Sequence, residues 1–279
     1  MTAFESHARP IPTPEEVWRR YDADEARLTT PLSARMIELA GIAPGQHVLD
    51  LATGRGEPAI AAAKRVAPSG TVLGVDVAAP MLAMARSRAE AEGMTNLELR
   101  VMSAERLEGV ADRRFDAALA RWGLMYMDAP VRALKETARV LRDGGTFVAA
   151  VWAEPEKVDY FSLPRRILAE LAPVPAVSTT TPGPFYYCSR EKLRADLSIA
   201  GLVSLHEEDL EVAVMEADTP EEVVAWTRAF GMTKLLNGMP VAVQDAWERA
   251  LVREVSARSD RPLRLGGTTH VVLAQAARR

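Results

Sequence analysis

Two acids and two glycines at fixed spacing mark one stretch of this chain as able to do chemistry. Residues 48–60, Val-Leu-Asp-Leu-Ala-Thr-Gly-Arg-Gly-Glu-Pro-Ala-Ile, run from an apolar strand into a helix through a turn that carries Gly54 and Gly56. Glycine leaves backbone N–H groups unshielded there, and the start of the helix adds its own N–H groups, so a ligand can approach the main chain. Asp50 closes the strand. Asp76 closes a second apolar strand twenty residues beyond Gly56, where a carboxylate can accept hydrogen bonds from ribose hydroxyls. The pattern predicts a cofactor-binding turn, and two cofactors fit its outline.

The elements that must position these residues alternate. Residues 13–42 read helical, with Thr13 or Thr30 as caps, Pro14 and Pro31 in first-turn positions, and Leu32, Met36, Leu39 and Ala40 on one face. Strands are then expected at 47–51, 71–76, 97–101, 115–120 and 145–152, with helices at 57–67, 79–92 and 130–142, the last stopped by Gly144 and Gly145. Strands joined by helical crossovers must pair in parallel, which predicts an α/β, doubly wound, mainly parallel sheet. Beyond Trp152 the chain turns proline-rich to residue 187, with a helical patch at 158–172. A helix at 189–200, a strand at 202–215, helices near 219–230 and 240–258, and a closing strand at 268–276 follow, the last suited to a sheet edge or a hairpin with 202–215.

Composition narrows the class. At 279 residues, with 26% charged and 48% hydrophobic residues, the chain can bury a full core. Net charge is −4 and the arginines are scattered among acids, so nucleic acid is disfavoured as the main partner. The single cysteine, Cys188, excludes an internal disulfide framework and is expected to pack as a small apolar residue in a reducing compartment. His7, His47, His206 and His270 show no metal-ligand spacing. Without an apolar leader or a run approaching about 18 apolar residues, the expected location is the cytoplasm, with no membrane partner.

The glycines alone do not choose the cofactor. Gly54-x-Gly56-x-x-Ala59 satisfies a dinucleotide fingerprint, with Asp76 at the expected distance. That reading leaves Asp50 unexplained, because a carboxylate at the strand end repels a pyrophosphate. S-adenosylmethionine explains it: its methionine end carries an ammonium group and its sulfur is a cation.

The pattern Asp50-x-x-x-Gly54-x-Gly56 with an acid at the next strand end resembles the class I S-adenosylmethionine-dependent methyltransferases, and four later segments extend the likeness. Val75-Asp76-Val77-Ala78-Ala79-Pro80-Met81-Leu82 is similar to the family's second segment, and Met102-Ser103-Ala104-Glu105-Arg106-Leu107 to its third. Phe115 through Met127 resembles the fourth strand with the loop below the reacting methyl, and Arg139-Val140-Leu141-Arg142-Asp143-Gly144-Gly145 the turn before the fifth strand. The ensemble looks most like the branch that holds ubiquinone and menaquinone methyltransferases.

This resemblance implies cofactor contacts from Asp50, Ala52, Thr53, Gly54 and Gly56 at the methionine end, Asp76 at the ribose, Val77, Met81, Ser103, Ala104 and Glu105 around adenine, and Arg121 at the end of the fourth strand. Trp18 to Asp22 resembles a helical arm over the cofactor, with Tyr21 at the methionine end. Two positions depart from the family. Alanine stands at 52 in place of a common glycine, which predicts conventional backbone there, and serine stands at 103 in place of a common acid.

The implied layout is an N-terminal helical arm at 1–42, a Rossmann-like core at 43–152, a lid insertion at 153–187, a core helix and strand at 188–215, a helical cap insertion at 216–262 and a final antiparallel core strand at 263–279. Trp122, Tyr126, Trp152, Tyr160, Tyr187 and Trp226 are the expected acceptor-pocket walls, each of which could equally be core. Methyl transfer is an in-line displacement that needs alignment in a water-poor pocket, and a base only when the acceptor must lose a proton; no histidine is placed in that role. The expected activity is methylation of a small molecule, at a phenolic or hydroxyl oxygen or at a quinol-like ring carbon. The alternatives are an NAD(P)-dependent oxidoreductase and a protein that binds S-adenosylmethionine without transferring its methyl.

Overall fold

The computed structural model describes residues 14–277, with side chains described from Asp24 onward. Its centre is a seven-stranded sheet: β1 (His47–Leu51), β2 (Thr71–Asp76), β3 (Leu97–Val101), β4 (Phe115–Arg121), β5 (Leu141–Trp152), β6 (Leu202–Ala217) and β7 (Leu263–Ala276), in the order β3-β2-β1-β4-β5-β7-β6. β1 to β5 pair in parallel, and β7 runs antiparallel to β5. The central strands are near-continuous apolar runs because both faces are covered: Val48, Leu49 and Leu51 of β1 and Ala117 to Ala120 of β4 are all buried.

This order decides between the cofactors. A dinucleotide fold carries a mostly parallel sheet in the order 3-2-1-4-5-6; here β7, antiparallel to β5, is inserted between β5 and β6. The strand order reverses direction at β1 and β4. Their carboxyl ends, with the loops at Ala52 and Trp122, flank the crevice in which such sheets hold ligands.

The helices of the described residues are α1 (Pro14–Leu39), α2 (Ala59–Val66), α3 (Ala79–Ala91), α4 (Pro130–Val140), α5 (Asp159–Leu171), α6 (Arg190–Ile199), α7 (Pro220–Thr227), α8 (Thr233–Leu236) and α9 (Val241–Ser256). Three expectations need correction. Pro31 lies inside the single helix α1 and starts no second one. Gly144 and Gly145 do not end the helix before β5. They lie within the strand, where Gly144 takes a φ of +73° and the β4–β5 register shifts between Phe115 and Ala117, so the pair serves a bulge. The helix expected at 219–230 widens into a π turn at Arg228–Met232, beside Thr233, whose hydroxyl donates to the Arg228 and Ala229 carbonyls.

The chain divides into two compact units, with boundaries inside α1, β6 and β7. Of the described residues, one comprises those up to 28, 159–175 and 213–266; the other comprises 29–158, 176–212 and those from 267 onward and holds the cofactor-type turn. The proline-rich segment 153–187 contributes to both. In the first unit α5, α7 and α9 pack together over Tyr160, Trp226 and Trp247, all buried.

Candidate functional site

The turn after β1 is built by close approach. Thr53 N–H donates to the Val75 carbonyl of β2 (3.0 Å), and a Cβ on Gly74 would meet the Thr53 hydroxyl at 2.7 Å, so glycine in β2 makes the room. Gly56 has a φ of +107° and faces Ile60, whose Cδ1 would lie 2.7 Å from a Cβ there. Gly54 takes +55° and Ala52 +53°. The left-handed conformation at Ala52 corrects the expectation of conventional backbone. An L residue there costs about 1–2 kcal/mol, and the surrounding contacts hold it.

Asp50 is fully buried. Its Oδ2 accepts from the Thr53 hydroxyl (2.5 Å), while Oδ1 has no hydrogen-bond partner. Burial pushes the carboxyl up to about 7, against the Thr53 bond, the Arg121 charge and the Ala59 N–H, with Glu57 adding repulsion. An acid so placed calls for a positively charged or N–H-bearing partner.

Asp76 ties two loops together: its Oδ2 accepts from Gly54 N–H and its Oδ1 from Ala78 N–H, both at 2.8 Å. Each oxygen keeps acceptor capacity. Beside it Val77 and Val101 are 70% and 62% exposed, large apolar side chains turned outward at the ends of β2 and β3. Val101, Met102, Ser103 and Glu105, with Arg106, Glu108 and Arg132, line a hollow of about 420 Å³. Ser103 Oγ accepts from the Glu105 N–H, Glu105 accepts from the Ala129 N–H, and Ala104 is buried behind them. Met81 lies in the first turn of α3, its N–H on the Ala78 carbonyl.

Arg121, at the end of β4, donates through one terminal nitrogen to the hydroxyls of Thr29 (2.5 Å) and Ser33 (3.3 Å). Both hydroxyls are buried on α1. Burial pulls the guanidinium down to about 10, opposed by the charges of Glu57 and Asp50. Among the described residues it makes no ion pair. Glu57, whose own pKa is raised by burial, lies 3.5 Å from Arg88. Sequence reasoning missed Glu57, Thr29 and Ser33. The signal for the last two was available: hydroxyls four residues apart on the helix face that carries Leu32 and Met36.

The aromatic candidates separate. Trp122 and Trp152 stack at the ends of β4 and β5, with ring centroids 4.4 Å apart and planes at 13°. Trp122 has a φ of +54°, donates from Nε1 to Thr269 and carries the Arg121 guanidinium over its ring. Tyr126 is 51% exposed in the turn that follows. Tyr187 has no exposed surface and donates to Asp196 (2.9 Å), so it has no face open to a ligand. Tyr160 and Trp226 belong to the other unit, where Trp226 Nε1–H donates to the Tyr160 hydroxyl (3.2 Å) against Phe230. The side chain of Tyr21 lies outside the described residues. His270 is buried with Nδ1 on Asp209 and Nε2 on the Cys188 carbonyl, so both ring nitrogens are occupied.

A mainly parallel sheet with one antiparallel strand, a glycine turn on a buried acid and an acid at the end of the next strand are the geometry that the resemblance to class I S-adenosylmethionine-dependent methyltransferases implies. Residues 48–145 match the family described as "Methyltransferase domain". The chain is 29% identical to nocamycin O-methyltransferase of Saccharothrix syringae, over 86% of this chain and 88% of that one. It is 40% identical to demethylmenaquinone methyltransferase of Thermus thermophilus, over 44% of this chain and 54% of that one. It spans about half the length of most of the curated relatives it matches. The fold is shared with an S-adenosylmethionine-dependent methyltransferase from Aquifex aeolicus, with a TM-score of 0.53 at 19% identity over 71% of this chain and 92% of that one.

Proposed function

We propose that the whole protein transfers the methyl group of S-adenosylmethionine to a small molecule, at a phenolic or other hydroxyl oxygen. The observation that carries the cofactor is Asp50, a fully buried carboxylate with one oxygen unpaired at the mouth of the glycine turn. It suits the cationic methionine end. Asp76 then serves the ribose, Val77, Met81, Val101 and the 102–105 segment serve adenine, and the bound cofactor supplies an electrophilic methyl group. Oxygen is preferred as acceptor because the likeness to nocamycin O-methyltransferase extends through the segments outside residues 48–145. The likeness to demethylmenaquinone methyltransferase, which covers under half of this chain, supports ring carbon as the second reading.

Trp122, backed by the buried Trp152 stacked on it, and Tyr126 stand at the ends of β4 and β5, where an acceptor approaches the methyl; this chain's part is to hold the two reactants in line and exclude water. A net charge of −4 favours a free metabolite over nucleic acid. Among the described residues no helix is long and apolar enough to cross a membrane, and with the lone buried Cys188 this supports a cytoplasmic location.

Calorimetry with S-adenosylhomocysteine and with NADH, followed by mass spectrometry of a phenol, hydroxy-acid and quinol panel, tests the proposal. Homocysteine-product binding and a methylated hydroxyl compound are expected. Tight NADH binding without S-adenosylhomocysteine binding overturns the reading; cofactor binding with no methylated product supports a protein that does not transfer the methyl.

A further inference from the structure

Three adjacent strands, β4, β5 and β7, meet at one indole. Trp122 follows β4 and lies on Trp152 at the end of β5, with ring centroids 4.4 Å apart and planes at 13°. Its Nε1–H donates to the Thr269 hydroxyl of β7 at 3.3 Å. The β5–β7 register sets Thr269 directly opposite Trp152, so the two side chains share a face of the sheet, and the hydroxyl stands beside the ring on which Trp122 rests. Trp152 and Thr269 are buried and Trp122 is half-buried.

The contacts on the indole constrain it differently. Stacking on Trp152 fixes the plane of the ring but lets it slide and turn within that plane, because offset arrangements are close in energy. The Arg121 guanidinium, 5.3 Å from the ring centroid, is attracted to the ring as a whole and has the same limit. A hydrogen bond weakens steeply off its axis, so Thr269 sets the in-plane angle. Trp122 needs that tether, since its φ of +54° is a conformation that an L residue holds only at a cost.

From this geometry we infer that Thr269 is a positioning residue for methyl transfer: its hydroxyl holds the Trp122 indole at one angle and so shapes the surface that the acceptor meets. The inference rests on the proposed placing of the acceptor at the ends of β4 and β5. β4 and β5 stand between β7 and the glycine turn after β1, so the hydroxyl acts on the acceptor and not on the cofactor.

The test on the full chain joins a spectrum to kinetics. Two indoles stacked this closely give an exciton-coupled band in circular dichroism, which reads the angle between the rings without any ligand. Thr269→Val keeps the branched shape and removes the acceptor oxygen; Thr269→Ser keeps the oxygen and removes the methyl. In Thr269→Val the coupled band should change. Its KM for whichever member of the phenol, hydroxy-acid and quinol panel the wild type methylates fastest should rise about three- to tenfold, the range for a lost neutral hydrogen bond, with kcat held. Thr269→Ser should match the wild type in both readouts. Calorimetric affinity for S-adenosylhomocysteine, and for 5′-methylthioadenosine, which lacks its amino-acid end, should be unchanged in either variant. Should Thr269→Val fail to melt cooperatively, Thr269→Ala compared with Thr269→Ser isolates the hydroxyl. An unchanged KM in a cooperatively melting variant, with or without a changed band, overturns the role of Thr269. So does a Thr269→Ser as impaired as Thr269→Val. A wild type that binds S-adenosylhomocysteine and methylates nothing in the panel overturns the proposed reaction itself, and the acceptor role of Thr269 with it.

Discussion

Ala52 and Gly123 meet so closely that a Cβ on Gly123 would lie 2.3 Å from the Ala52 Cβ. The loops after β1 and β4 therefore touch at the point where the sheet's order reverses, and their contact sets how far the end of β1 stands from Trp122. Both loops are strained there, with Ala52 at a φ of +53° and Trp122 at +54°. Such residues persist where the surroundings over-determine them, often beside a ligand.

A double-mutant cycle measures this contact. Gly123→Ala should destabilise the protein by more than about 2 kcal/mol, because a core that rigid does not absorb an overlap of two Cβ atoms. Ala52→Gly should range from neutral to about 1 kcal/mol stabilising, relief of the left-handed alanine being offset by unfolded-state entropy. With both changes the Cβ overlap is gone, so denaturant unfolding of the double variant should recover most of the loss. Simple additivity contradicts the contact.

Asp50 gives a pH signature. Its folded pKa, about 7, stands above the ordinary 3.8, so the folded protein binds this proton more tightly than the unfolded chain does. Its ionisation therefore lowers stability progressively as pH rises from about 4 to about 7, and the full penalty, on the order of 4 kcal/mol, is present above that. Asp50→Asn removes the penalty. Thermal melts should show the variant gaining on the wild type as pH rises through this window, while its S-adenosylhomocysteine affinity falls and loses its pH dependence. Parallel melting curves across this range refute the assignment.

How much of this was legible follows from the kind of signal each residue leaves. Strands β1, β2 and β3 match their expected limits because apolar runs between turn residues admit one register. Asp50, Gly54, Gly56 and Asp76 stand out in the sequence because spacing along the chain carries the chemistry proposed for them. The bulge in β5 was not, since Gly144-Gly145 reads equally as a helix stop. The left-handed backbone at Ala52 departs from expectation for a different reason: its close neighbour Gly123 lies 71 residues away along the chain. Glu57 and the Arg121 hydroxyl clasp are likewise products of packing between segments, to which a pattern along one segment is blind. Tyr187 and Trp226 illustrate the converse: an aromatic side chain suits a pocket wall and a core equally by type, and only the fold shows that both are buried.

Asp76 anchors protein and ligand at once. Its carboxylate holds the Gly54 and Ala78 N–H groups, so Asp76→Ala should lower S-adenosylhomocysteine and methylthioadenosine affinity alike, by about 1.5–3 kcal/mol for each. Equal losses distinguish a ribose contact from one at the amino-acid end. Unchanged calorimetric affinity for both would confine Asp76 to holding its loops.

Tyr160 and Trp226 can be assigned by separating stability from kinetics. The indole N–H on the Tyr160 hydroxyl and the ring packing on Phe230 bury both inside one unit. Trp226→Ala should thus cost about 3–5 kcal/mol in unfolding free energy, as for other large core truncations, and Tyr160→Phe about 1 kcal/mol for the lost acceptor. Tyr160→Phe should leave the acceptor KM unchanged. By contrast Trp122→Phe, at the ends of β4 and β5, should raise the acceptor KM with little change in S-adenosylhomocysteine affinity. A KM effect from Tyr160→Phe without a stability effect would reverse the assignment and return the Tyr160 pair to the acceptor site.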